Sequence, residues 1–206
     1  MSFQLCYKNW ERVVFFLLSI LCGLLDYLIC DFVAWMNHLP LFCDTIFIMS
    51  LSFLAGPGWG VLAGVFYHII DFMLTKKIEL AHFFIICHFL AAVTAGCFKG
   101  RYIRRIDSKQ TVFIKLIILS ILMCVVMSVS GGTIGYILNN IEDYNIATSQ
   151  TDFLSFLWQS KISSRLLLEI AVRIPVNIAD RFICVFAAWG IYLLAVRSLR
   201  YFNETL

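Results

Sequence analysis

Charged residues are scarce in this 206-residue chain. Asp, Glu, Lys and Arg make up 14% of the sequence, whereas 61% of the residues are hydrophobic and the mean hydropathy is +0.87. Globular domains carry roughly 25% charged residues, and a charged side chain is costly in hydrocarbon. The chain is therefore expected to lie mostly within a lipid bilayer. The net charge of +3 is too small to indicate nucleic-acid binding.

The sequence also lacks the motifs that carry common catalytic and nucleotide chemistry. It contains no G-x-x-x-x-G-K-[ST] phosphate loop, no G-x-S-x-G elbow and no H-E-x-x-H zinc helix. We therefore expect neither an enzyme activity nor a cofactor. If the protein moves a solute uphill, the energy has to come from an ion gradient or from a partner protein.

Metal-ligand spacing is missing as well. The eight cysteines stand singly, with no C-x-x-C pair and no cluster with histidine. Free cysteine packs as a small hydrophobe, so packing is expected rather than disulfides or metal ligation. The spacing of His68, His82 and His88 does not predict a metal site. His82 and His88 are expected to be packed or interfacial.

Apolar runs predict an all-α membrane protein, a bundle of six transmembrane helices formed by residues 1–206 as a single domain. The predicted helices are 13–36, 41–55, 59–74, 80–98, 112–138 and 174–196. The second and third are shorter than the ~20 residues of a straight span. They form either a tight hairpin, which we favour, or one long kinked element, because Gly56-Pro57-Gly58 separates them. A further amphipathic helix is predicted over 152–173 in the long outer loop.

Loop charge predicts the orientation of these helices. The loop after the fourth segment contains five basic residues and one acidic residue, and basic residues also flank both ends of the chain. The five are Lys99, Arg101, Arg104, Arg105 and Lys109. The positive-inside rule places this loop and both termini on the cytoplasmic side of the cell membrane.

Polar residues gather toward the predicted outer ends of the helices. Such residues inside a bundle are a functional-site hypothesis by default, because they are costly unless paired. His68 and Asp71 are three residues apart and should share a helix face. Structural alternatives stay open for Asp44, as a helix N-terminal cap, and for Asp180, as the ion-pair partner of Arg181. The predicted substrate-binding residues are Asp44, His68, Asp71, Asn139, Asn177 and Asp180.

Small residues recur at a spacing of four. In the first segment these are Ser19 and Gly23. This spacing puts small side chains on one helix face, which lets a neighbouring backbone approach closely. The pattern fits packing within the chain or a docking face for another membrane subunit, and it does not separate the two.

Two stretches resemble a known family. The run Asp44-Thr45-Ile46, followed by Gly56-Pro57-Gly58-Trp59-Gly60 and Gly64, resembles the D-T-[IV]…G-P-x-x-G-x-x-x-G region of S components of energy-coupling factor (ECF) transporters. Residues 173–181, R-I-P-V-N-I-A-D-R, resemble the start of the sixth helix in one branch of that family. In that branch a D-K pair is common, where this sequence has Asp180-Arg181.

The resemblance implies a membrane subunit that binds a small water-soluble vitamin or precursor, with a riboflavin-like compound favoured. Such subunits dock onto a T subunit and two ABC-type ATPases, and Ser19 and Gly23 are the implied docking residues. Nickel and cobalt are not expected, because the members that bind them begin with Met-His and this sequence begins Met1-Ser2-Phe3. The alternative is a membrane-embedded sensory or ligand-binding module that signals through a partner protein.

Overall fold

A computed structural model describes residues 9–36, 41–76, 80–104, 106–142, 158 and 161–205. These residues form α-helices and one 3₁₀ turn, and they contain no β-strand. The main helices are α1 (Asn9–Trp35), α2 (Ile46–Ala55), α3 (Pro57–Thr75), α4 (Ile85–Tyr102), α5 (Lys109–Glu142) and α6 (Arg165–Thr205), and the 3₁₀ turn (Leu80–Phe84) precedes α4.

Five of these helices, all except α2, are long and apolar enough to cross a membrane. The ten residues of α2 extend about 15 Å, because an α-helix rises 1.5 Å per residue. That length is about half of the hydrocarbon thickness of a bilayer. The all-helical class and the multi-pass membrane character are thus supported, with five helices of sufficient length and apolarity among the described residues, and a sixth span is not shown.

The short helix α2 lies at the centre of the bundle. Eight of its ten residues are buried, and it packs against α1, α3, α4 and α6. The longer helices present large apolar side chains outward, such as Leu17 of α1 and Phe113 of α5. This arrangement places the N-terminus of α2 inside the protein, where its free backbone donors need partners.

A tight corner joins α2 to α3, as the Gly56-Pro57-Gly58 sequence predicts. Gly56 has a φ of 103°, a backbone conformation that glycine adopts without steric penalty. Pro57 is the first residue of α3, a position where its missing N–H removes no helical hydrogen bond. The two helices then pack on one another, as in the predicted hairpin.

The last helix begins earlier than the sequence pattern predicts. We expected a span from residue 174 and a separate amphipathic helix over 152–173, and for residues 165–173 that division is wrong. These residues belong to α6, and Pro175 lies inside the helix. Proline is tolerated in membrane helices where neighbouring groups compensate for the lost hydrogen bond. Residues 152–157, 159 and 160 lie outside the described residues.

Close packing against α5 supports this first part of α6. A Cβ on Gly132 would lie 2.8 Å from the Cα of Ile170 and 2.9 Å from its backbone nitrogen. The two helices are therefore in backbone contact at a point before Pro175, which no local pattern in 165–173 reveals.

Candidate functional site

Asp26 of α1 caps the N-terminus of α2 from a neighbouring helix. Its carboxylate accepts hydrogen bonds from the backbone N–H groups of Phe47 (2.9 Å) and Ile48 (2.8 Å). Both donors belong to the first turn of α2, where intrahelical acceptors are missing. Thr45, which precedes the helix, makes no side-chain capping bond. Asp26 is fully buried, so its carboxylate holds α2 in the bundle.

We expect Asp26→Ala to lower the free energy of unfolding in detergent by about 3 kcal/mol, because two buried backbone N–H groups lose their acceptor, at a cost of ~1–3 kcal/mol each. Thermal unfolding followed by circular dichroism measures this effect. Asp31→Ala is the matched control, since Asp31 lies on the same helix and is exposed. Equal melting temperatures for the two variants would contradict the capping role.

Asp180 of α6 holds the segment that leads into α2. One carboxylate oxygen accepts hydrogen bonds from the backbone N–H groups of Phe42 (2.9 Å) and Cys43 (2.8 Å). Cys43 has a φ of 51°, a left-handed conformation that costs about 1–2 kcal/mol for a residue with a side chain. The fully buried Asp180 thus stabilises an unfavourable turn.

Arg181 links the two acidic residues of this region. Its Nη2 donates to Asp44 Oδ1 at 3.0 Å and also pairs with Asp180 Oδ2. Its Nη1 donates to the hydroxyl oxygen of Thr45 at 2.7 Å. The side chain is 1% exposed, and its Nε has no partner within the described part of the chain.

The polar contacts continue from Asp44 through two histidines. Asp44 Oδ2 lies 3.3 Å from His88 Nε2 on α4, and His88 Nδ1 lies 2.9 Å from His68 Nε2 on α3. Burial works to raise the pKa of the Asp44 carboxyl, but the Arg181 guanidinium and His88 outweigh it and hold that pKa below its ordinary value. Asp44 is therefore ionised at neutral pH. We call the series Arg181–Asp44–His88–His68 the polar chain.

His68 also belongs to a cluster of three ionisable residues near the C-terminal end of α3. His82 Nδ1 lies 3.4 Å from Asp71 Oδ2, and one possible ligand atom from each of His68, Asp71 and His82 lies within 4.8 Å of the other two. The Nδ1 atom of His68 is buried and has no hydrogen-bond partner among the described residues. We call these three residues the outer cluster. It lies at the end of α3 that is remote from the basic loop after α4.

Four of the predicted binding residues meet in this region. Asp44, His68 and Asp180 belong to the contacts around Arg181 and His88, and Asp71 lies beside His68, as their spacing predicts. For Asp180 the ion-pair alternative holds in the structure, and both of its oxygens are engaged within the protein. This residue therefore shapes the region and does not present a free carboxylate to it.

Of the other two predicted binding residues, Asn177 lies outside the polar chain. Asn177 is buried and its Nδ2 donates to the hydroxyl oxygen of Ser128 at 2.9 Å, which joins α6 to α5. Asn139 is in α5, and its side chain lies outside the described residues.

Ser19 and Gly23 pack within the chain. A Cβ on Gly23 would lie 2.7 Å from the carbonyl oxygen of Ala63 and 2.8 Å from the backbone nitrogen of Tyr67. Ser19 is fully buried, and its hydroxyl lies 3.3 Å from the carbonyl oxygen of Trp59. Helix α3 covers Ser19 and Gly23. Their four-residue spacing therefore corresponds to packing within the chain, one of the two alternatives that the spacing left open.

Sequence reasoning missed the roles of Asp26, His82 and His88. His88 is buried, as expected of a packed histidine, but the expectation did not include the contact that each of the two histidines makes with a carboxylate. No local signal marks them, because His88 and Asp44 are 44 positions apart. The adjacency of Asp180 and Arg181 within an apolar segment was the one visible sign of the ion pair.

Two other places are weaker candidates. Cys43, Asp180 and Cys184 lie close enough to hold a metal ion, but the Asp180 oxygens are occupied and the Arg181 cation is adjacent. A cavity of about 330 Å³ lies between the α2–α3 corner and the end of α4. Its lining includes one ionisable side chain, Lys99, so it offers little for recognition of a polar ligand.

Comparison with known proteins identifies no relative: no family model matches the chain, and no curated protein or solved structure does so either.

Proposed function

We propose that this protein binds a small polar solute at the end of its helix bundle and acts as the substrate-binding membrane subunit of an ECF transporter. The polar chain is the observation that carries the proposal. It contains two buried nitrogens without a partner among the described residues, Nε of Arg181 and Nδ1 of His68. Unpaired polar groups are costly in a membrane bundle, and a ligand that completes their hydrogen bonds recovers that free energy.

The central position of α2 supports a binding role. Membrane transporters often bind substrates where a helix is interrupted inside the bundle, because helix ends provide unpaired backbone groups there. Here α2 is ten residues long and begins among Asp26, Asp44 and Thr45. The polar chain thus lies at such an interruption.

The charge distribution supports entry from outside. Lys99 and Arg101 lie in the last turn of α4, at the end of that helix remote from His88, and the positive-inside rule assigns them to the cytoplasm. The polar chain and the outer cluster then face the exterior, with both termini cytoplasmic in the six-segment topology. A vitamin or precursor with both hydrogen-bond donors and acceptors fits this region, since Arg181 Nε donates and a ring nitrogen can accept.

Co-purification tests the proposal directly. The protein is tagged without histidine at its own chromosomal locus and isolated in mild detergent, and its partners and retained small molecules are identified by mass spectrometry. We expect a T subunit, two ABC-type ATPases and an organic molecule. Asp44→Asn should retain less of that molecule, and Asp31→Asn, with an exposed carboxyl, should retain as much as the wild type.

Two outcomes would overturn this function. Isolation of the protein without ATPases and without a retained molecule excludes an ECF subunit. A retained molecule together with a signalling protein in place of the ATPases assigns the chain to the sensory class instead.

A further inference from the structure

The outer cluster has the composition of a metal site with open positions. Two imidazoles and one carboxylate are the protein ligands of many catalytic zinc sites and of non-haem iron sites. His68 and Asp71 come from consecutive turns of α3, and His82 comes from the 3₁₀ turn before α4. The proximity of three such side chains from two elements indicates a metal site more strongly than their spacing along the sequence does.

Hydrogen bonding in the polar chain prepares His68 to be a ligand. Nε2 of His88 lies 3.3 Å from the acceptor oxygen Oδ2 of Asp44, and this contact assigns the ring proton of His88 to Nε2. In the His88 tautomer that carries its proton on Nε2, Nδ1 accepts, and His68 Nε2 is then the donor in their 2.9 Å contact. This tautomer leaves a lone pair on His68 Nδ1, the buried atom that has no hydrogen-bond partner among the described residues.

The same contacts provide the outer shell that metal-binding histidines usually have. A ligating histidine commonly donates its second N–H to another group, which fixes the ring and raises its basicity. Here His88 receives that hydrogen bond and Asp44 orients His88. Arg181 in turn holds Asp44 at 3.0 Å.

The distances allow coordination after small side-chain movements. Bonds of ~2.0–2.1 Å in tetrahedral geometry put ligand atoms roughly 3.3 Å apart. The His82 Nδ1 and Asp71 Oδ2 atoms are already 3.4 Å apart, and each of the three residues has one possible ligand atom within 4.8 Å of those of the other two. The side chains of His82 and Asp71 are 24% and 29% exposed, so a metal ion can reach both of them from solvent.

We propose that His68, Asp71 and His82 bind a first-row divalent transition metal ion, with Zn²⁺ and Co²⁺ as suitable probes. Two nitrogen ligands favour such ions over Mg²⁺ and Ca²⁺, which prefer oxygen. The site shares His68 with the region proposed to bind a solute, but it requires only the folded bundle and is independent of any ATPase partner.

Metal binding to the purified full-length protein tests this assignment. The protein carries a tag without histidine, is stripped with a chelator in detergent, and is titrated with Zn²⁺ or Co²⁺. We expect one equivalent to bind, with a visible Co²⁺ spectrum of low coordination number. Asp71→Asn and His82→Ala should each weaken binding by on the order of 100-fold, and the outer-shell variant His88→Ala by about 10–100-fold. Asp31→Asn, with its exposed carboxyl on α1, should bind as the wild type does.

A ligand exchange separates coordination from a folding effect. His82→Cys keeps a metal ligand, so it should bind Co²⁺ and add a thiolate-to-cobalt absorption band that the wild type lacks. Size-exclusion profiles show which variants remain folded. The proposal is overturned if the folded wild type binds no stoichiometric metal, or if Asp71→Asn, His82→Ala and the wild type bind with equal affinity. Neither result depends on co-purification of an ATPase.

Discussion

Arg181→Met is expected to lower the free energy of unfolding by about 3–5 kcal/mol, the range observed when one partner of a buried ion pair is removed. Arg181 is 1% exposed and contacts Asp44, Asp180 and Thr45. Methionine fills part of the same volume but leaves two carboxylates without their cation. Most of this protein should therefore be unfolded or aggregated after extraction into detergent.

Thermal unfolding in detergent, monitored by tryptophan fluorescence, measures the loss. Arg197→Met is the matched control, because Arg197 lies on the same helix and is exposed, and it should melt as the wild type does. Adding Asp44→Asn to Arg181→Met should restore part of the stability by removing one of the unpaired charges. An Arg181→Met protein as stable as Arg197→Met would show that the buried ion pairs do not stabilise the fold.

Gly60→Leu is expected to prevent the packing of α3 on α2 and to destabilise the protein by about 3 kcal/mol or more. A Cβ on Gly60 would overlap the hydroxyl oxygen of Ser52 and lie 2.9 Å from the carbonyl oxygen of Ile48. The Ile48 backbone is fixed by its hydrogen bond to Asp26, so it cannot move aside without loss of the α2 cap.

Gly58→Leu provides the control two residues earlier on the same helix. A Cβ at Gly58 would meet nothing within 4 Å, and leucine gains up to ~1 kcal/mol of helix propensity over glycine. Gly58→Leu should therefore match or exceed the wild type in the yield of monodisperse protein and in melting temperature, whereas Gly60→Leu should lose both. Similar behaviour of the two variants would refute a close α2–α3 contact.

The glycines of the motif that resembles ECF S components have distinct packing roles in this fold. Gly56 adopts a positive φ at the corner, Gly60 contacts α2, and a Cβ on Gly64 would lie 3.0 Å from the Cβ of His88. The pattern therefore also places His88 close to α3, within reach of His68. The close contact of Gly64 with His88 thus connects the glycine motif to the polar chain.

The sequence predicted those parts of the fold that depend on interactions between residues close together along the chain. Long apolar runs identify helices that lie in a membrane, and Gly56-Pro57 marks the corner between α2 and α3. The start of α6 was missed because a proline at position 175 usually indicates a helix boundary. The first part of α6 packs closely against the backbone of α5 at Gly132. This contact joins residues that are far apart in the sequence, so the pattern of residues 165–173 does not reveal it.

For the site, the sequence by itself determined that several ionisable residues lie within apolar segments and that His68 and Asp71 share a helix face. Only the tertiary structure decided their partners. Asp44 meets residues 44 and 137 positions away, and Asp26 caps a helix other than its own. Hydrophobic periodicity tells which face of a helix is buried. It does not tell which neighbour covers that face, because the choice depends on how all the helices pack together.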